Sequence, residues 1–185
     1  MNRHFQIGIV IIAWSIIYSF AIPKDNTCVI EGKIKWYSWQ EAMKANKKAP
    51  KKLMVDIYTD WCHWCKVMEK NTFNADQVAS YINENFYPIK LNAEEKETIK
   101  WQGRKFKYVE AGKKGVHSLA YSLLDGNLSY PSTVLLTENF ERIGVFKGYK
   151  QVDEMLITLK FAADEVYKKE AWGDYAKAAK PKKEK

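Results

Sequence analysis

The chain has 185 residues, 46% hydrophobic and 28% charged, a balance that excludes a disordered polypeptide and suits one domain with its own apolar core. The formal charge of +8 gathers in Lys44–Lys52 and in a Lys177–Lys185 tail, a pattern of solvated helix ends and termini that argues against a nucleic-acid role. Three cysteines make no stapling framework, and a single C-x-x-C with few histidines supplies only half of a zinc site.

Arg3 and His4 precede an almost continuous apolar run from Phe5 to Tyr18, and Ser19-Phe20-Ala21 places small residues where a signal peptidase reads them. A cleavable secretory signal over residues 1–21 is expected. The alternative is an uncleaved anchor, although the run is shorter than the ~20 residues that span a bilayer. Cys28 follows Asp25-Asn26-Thr27 instead of small apolar residues, which disfavours lipidation. An extension over 22–35 then leads into a domain over 36–170, and a basic tail occupies 171–185.

Ser38-Trp39-Gln40-Glu41 is a capping-box pattern and predicts a helix to about Lys48, before Pro50. Leu53–Tyr58 is a short apolar run with the length of a central strand. A helix is expected to start at Cys62 and Cys65, and another to be capped by Asn74-Ala75-Asp76-Gln77. Phe86–Leu91 reads as a second strand, so strand and helix alternate in the manner of parallel β-α-β wiring. Gln102-Gly103, between Thr98 and Val109, predicts an inserted hairpin. Gly115–Leu124 is expected to be helical, with His117 an ordinary helix residue. Ser132–Thr137 and Glu141–Lys147 form an antiparallel pair, and Val152–Tyr167 carries one long apolar stripe. From Lys177 onward the chain is expected to fray. Trp36, Trp101, Tyr108 and Trp172 read as packing residues.

The chemistry centres on Cys62-His63-Trp64-Cys65, which follows the strand directly. A thiol at a helix N-terminus faces unpaired N–H groups and the positive end of the dipole, which favour its thiolate. So small a loop restricts an unfolded chain little, so the pair is better explained by redox chemistry than by stapling. Asp56 lies within the apolar strand, where desolvation raises a carboxyl pKa toward values useful for accepting a thiol proton. The alternative is an aspartate satisfied by a lysine such as Lys90. His63 either tunes the Cys62 thiolate or is an exposed turn residue, and Trp61 and Trp64 either form an apolar rim or pack on the fold.

Together these residues resemble the thioredoxin-like thiol-disulfide oxidoreductases over roughly Trp36 to Tyr167. Val55–Lys66 resembles the family's active-site strand and turn, and Lys90-Leu91-Asn92 the end of its next strand. Tyr130-Pro131 with Thr133 resembles the cis-proline loop, and Gly148 stands where the family has a glycine after its last strand. The resemblance implies an α/β thioredoxin fold, a central mixed β-sheet flanked by helices, here with a small inserted hairpin. In it Cys62, at the exposed helix end, is expected to attack substrate disulfides, Cys65, one turn in and more buried, to resolve the mixed disulfide, and Asp56 matches the buried acid. Tyr130 and Pro131 would lie beside the disulfide to pair with an extended substrate segment. No cofactor is expected beyond the Cys62–Cys65 couple. The C-H-W-C filling looks closer to a secreted or periplasmic branch than to cytosolic thioredoxin. The expected partners are protein disulfides or dithiols and, for a reductase, a membrane-embedded electron donor. An oxidase or isomerase, or a non-enzymatic peptide-binding module, are the rival readings.

Overall fold

The structure is a computed structural model that describes residues 33–111 and 114–180; the expected signal segment and Cys28 lie outside them. Strand β1 (Lys52–Tyr58) is the centre of the sheet, pairing parallel with β2 (Phe86–Asn92) and antiparallel with β7 (Ser132–Leu136). Antiparallel β8 (Arg142–Lys147) completes the order β2-β1-β7-β8. A parallel unit followed by an antiparallel pair is the plan the resemblance implies.

Alternation along β1 assigns the two layers. Leu53, Val55 and Ile57 pack with Ile89, Leu91, Val134 and Leu136 against Trp39 and Ala42 of α1 (Trp39–Lys48) and Leu119, Ala120 and Leu123 of α4 (Ser118–Leu123). Met54, with Leu135 and Phe146, faces the other way, onto Met68 of α2 (His63–Met68), Phe73, Val78 and Ile82 of α3 (Asp76–Asn85), and Met155 and Leu159 of α5 (Val152–Ala163). Asp56 has the parity of Met54. It therefore points into the layer that holds the cysteine helix.

Helix α1 begins with the expected capping box: the Glu41 N–H donates to Ser38 Oγ at 3.3 Å, and the Ser38 N–H donates to the Glu41 carboxylate at 2.8 Å. Between α2 and α3 a π-helical turn runs Glu69–Phe73, and the N-cap of α3 is Ala75, within the expected Asn74-Ala75-Asp76-Gln77. The apolar stripe of Val152–Tyr167 does not make one helix. Helix α5 ends at Ala163, Glu165 adopts φ 56°, and Val166–Lys168 form a 3-10 turn. Fraying does not begin at Lys177 either, since α6 (Trp172–Ala179) continues past it, and Trp172 packs on Phe146 and Phe161 at centroid distances of 4.8 and 5.3 Å.

The insertion is larger than Thr98–Val109. It contains two hairpins, β3 (Ile99–Trp101) with β4 (Arg104–Phe106) and β5 (Tyr108–Ala111) with β6 (Lys114–His117), so Gly115, Val116 and His117 are strand and not helix. A Cβ on Gly115 would lie 2.5 Å from Cζ of Tyr108, so only glycine lets that ring close over the strand.

His117 is likewise not a plain helix residue: it is fully buried and caps α4. Its Nδ1 accepts the Leu119 N–H at 3.3 Å, which fixes the proton on Nε2, 3.2 Å from the Glu97 carbonyl. Burial holds its pKa below the ordinary value, so the fold favours neutral imidazole. Stability from this group is complete above the unfolded pKa of about 6.5 and declines as the pH falls below it. We expect His117→Ala to cost about 1–3 kcal/mol in denaturant unfolding at pH 7.5, through the buried groups it leaves unpaired, and to remove part of the wild-type loss of stability between pH 7 and 5.

Candidate redox site

Strand β1 ends at Tyr58, and the Cys62 N–H donates to the Thr59 carbonyl at 3.1 Å to close the turn that starts α2. Cys62 is the N-cap residue: its Sγ accepts the Cys65 N–H at 3.1 Å. The two sulfurs are joined in a disulfide. Sequence reasoning placed Cys62 at an exposed end and Cys65 deeper; the structure reverses the order, with Cys62 4% and Cys65 8% exposed. In the oxidised form both residues are buried, and the Cys62 sulfur is bonded to Cys65 and seated on a backbone amide.

Asp56 is buried, and its pKa is pushed up to about 7. Burial is the main cause; the negative charge of Glu69 adds to it, while Lys90 opposes both. Lys90 is its register partner across β1 and β2, with Nζ 3.7 Å from Asp56 Oδ2. The same ammonium contacts the Glu69 carboxylate and lies about 5 Å from the rings of Trp36 and Tyr58. A cation divided between two carboxylates offsets only part of the desolvation of Asp56. Among the described residues Oδ1 of Asp56 has no hydrogen-bond partner. The structure thus pairs Asp56 with Lys90, the lysine the sequence suggested, while leaving the carboxyl buried. A cleft of about 280 Å³, lined by Thr59, Cys65, Lys66, Glu69 and Lys90, opens this layer to solvent beside the second cysteine.

Glu69 escaped the sequence reading. It stands four residues after Cys65, one helical turn on, and that spacing was the available signal. Tyr149, which packs against Trp64, was missed as well.

The rim is aromatic. Trp61 and Trp64 are each 56% exposed; Trp61 meets Tyr130 edge-on at 5.9 Å, and Trp64 tilts over Tyr149 at 5.4 Å. His63 is exposed and stands edge-on to Trp64. The Tyr130–Pro131 bond is cis, and the Pro131 carbonyl accepts the Gly148 N–H at 2.8 Å. Since Ser132 pairs with Ile57, Pro131 comes level with the end of β1. Among the described residues no group of three or more His, Cys, Asp or Glu could hold a metal ion, and no helix is long and apolar enough to cross a membrane.

The family denoted Thioredox_DsbH, described as "Protein of unknown function, DUF255", matches residues 28–158. The chain belongs to that family. Among solved structures, a "DsbH Oxidoreductase" aligns with a TM-score of 0.52 at 14% identity, covering 72% of this chain and 87% of its own. A thioredoxin-fold protein from Helicobacter pylori aligns with a TM-score of 0.53 at 16% identity, covering 82% and 92%. The fold is that of thioredoxin, and the C-x-x-C pair stands on it. An uncharacterized protein of Caenorhabditis elegans is 39% identical over 67 residues, 36% of this chain, which spans only 9% of that protein's length.

Proposed function

We propose that this DsbH-family protein is an exported thiol-disulfide oxidoreductase that exchanges disulfides with protein substrates through Cys62 and Cys65, in the reducing direction. The observation that carries the reading is a disulfide whose first sulfur caps a helix while a buried carboxyl with a pKa of about 7 lies in the layer behind it. The reduced form attacks with the Cys62 thiolate, displacing one substrate sulfur as a thiolate and forming a Cys62–substrate disulfide. Asp56 takes the proton of the Cys65 thiol. The Cys65 thiolate then attacks Cys62 Sγ, releasing the second substrate sulfur. Two electrons pass to the substrate, which leaves as a dithiol, and the Cys62–Cys65 disulfide is restored.

Tyr130, Pro131, Trp61 and Trp64 supply the surface on which the substrate lies, and His63 and Lys90 adjust the charge around the couple. Export follows from the apolar segment after Arg3 and His4, and an oxidising compartment then requires a membrane-embedded electron donor. The reduction potential tests the direction. Equilibration against thiol/disulfide buffers is expected to give a value near the roughly −270 mV of thioredoxin. A value near about −120 mV would make the protein an oxidant, and the absence of a reversible couple would leave only peptide binding.

A further inference from the structure

Trp61 is unusual in being more than half exposed and yet held on three sides. Its Nε1–H donates to Glu94 Oε1 at 2.9 Å, Tyr130 meets its edge, and Lys114 Nζ sits 4.4 Å from its ring centroid. Lys114 belongs to neither the sheet nor the active-site turn. It opens strand β6 of the second inserted hairpin, whose far end is tied to the core by the His117 N–H donating to the Ala93 carbonyl at 2.7 Å. Tyr108, closed over Gly115 and paired in register with His117, stiffens the hairpin between those points. Between the hairpin and the indole lies a polar cleft of about 550 Å³, lined by Asp60, Glu94, Lys96, Tyr108 and Lys114.

We propose that Lys114 is a specificity-determining residue for the exchange reaction, a positioning residue that holds the Trp61 indole as a preformed wall for a polypeptide substrate. The inference rests on the redox function proposed above. A cation over an indole face attracts it electrostatically, and a side chain already fixed loses less freedom when a partner lies on it. A substrate polypeptide, with chain on both sides of its cysteine, covers the indole and gains from its fixed orientation. A small disulfide presents little beyond its sulfurs and does not.

The experiment compares insulin, as a protein disulfide, with hydroxyethyl disulfide, using dithiothreitol as the electron source, for wild type, Lys114→Gln and Lys114→Arg. Lys114→Gln is expected to raise KM for insulin about 3- to 10-fold and to leave kcat, the small-disulfide rate and the reduction potential unchanged. Lys114→Arg, whose guanidinium also stacks on indole, is expected to restore the wild-type KM. An unchanged insulin KM in Lys114→Gln, an equal loss on both substrates, or no rescue by arginine overturns the proposal. Wild-type protein inactive on both substrates overturns the redox reading and this inference with it, an outcome distinct from a silent Lys114.

Discussion

Cys65→Ala is expected to stop the protein on its substrate, with Cys62 joined to it in a disulfide that survives non-reducing electrophoresis and yields to dithiothreitol. Cys62 alone receives the helix N-terminus, its Sγ already accepting the Cys65 N–H, so its thiolate remains the attacking group when Cys65 is gone. Without a resolving thiol the intermediate has no intramolecular exit, and multiple turnover is expected to fall by more than about 10²-fold. Cys62→Ala is expected to lose turnover without accumulating adducts. Equal trapping by the two variants, seen by mass spectrometry of the adducts, would show that the roles of the two thiols are not as assigned.

Asp56→Asn is expected to give the second large effect, with opposite signs on stability and on rate. In the fold Asp56 keeps its proton to about pH 7, against a reference value of 3.8. Its folded pKa is raised, so the folded state binds more protons between those values. The resulting stability is complete below pH 3.8, is lost as the pH rises toward 7 and stays lost above it. A difference of about three units corresponds to something on the order of 4 kcal/mol. Denaturant unfolding of Asp56→Asn is therefore expected to show a flatter pH profile and greater stability than wild type at pH 8. Resolution of the mixed disulfide, timed by single-turnover quenching, is expected to slow by about 10²-fold at pH 7, because no buried base takes the Cys65 proton. The deficit narrows above about pH 8.5, where a thiol ionises unaided. Parallel pH profiles of rate for the two proteins would remove Asp56 from the proton path.

Much of this was legible before any coordinates because the signals were local. The capping box at Ser38 and Glu41, the apolar strand around Asp56, the C-x-x-C pair and the strand pair after Pro131 each declare themselves within a few residues. What failed depended on contacts across the chain. Gly115–His117 followed by the apolar Leu119 and Leu123 reads as one helix, and only the Tyr108 ring closing on Gly115 and the caps made by His117 show that strand gives way to helix there. The stripe from Val152 to Tyr167 keeps its apolar character through a break at Glu165, since the 3-10 turn still sends Val166 and Tyr167 onto the same aromatic cluster. Cys62 was expected to be the more accessible sulfur because a helix start is usually exposed. Both cysteines are buried together at the start of α2, a packing outcome that the C-x-x-C spacing, which announces the bond itself, does not encode.

In the proposed mechanism the attacking atom is also the atom that caps the start of α2. In the oxidised state the Cys62 sulfur accepts the N–H of Cys65, the third residue of α2, and in the proposed mixed disulfide that sulfur would carry a substrate chain and no negative charge. On the proposed cycle the cap would be strongest for a free thiolate and weakest when the sulfur is shared with a substrate. The proposed electron transfer would then reach the backbone directly, the hydrogen bonding of the first turn of α2 following the stage of the cycle.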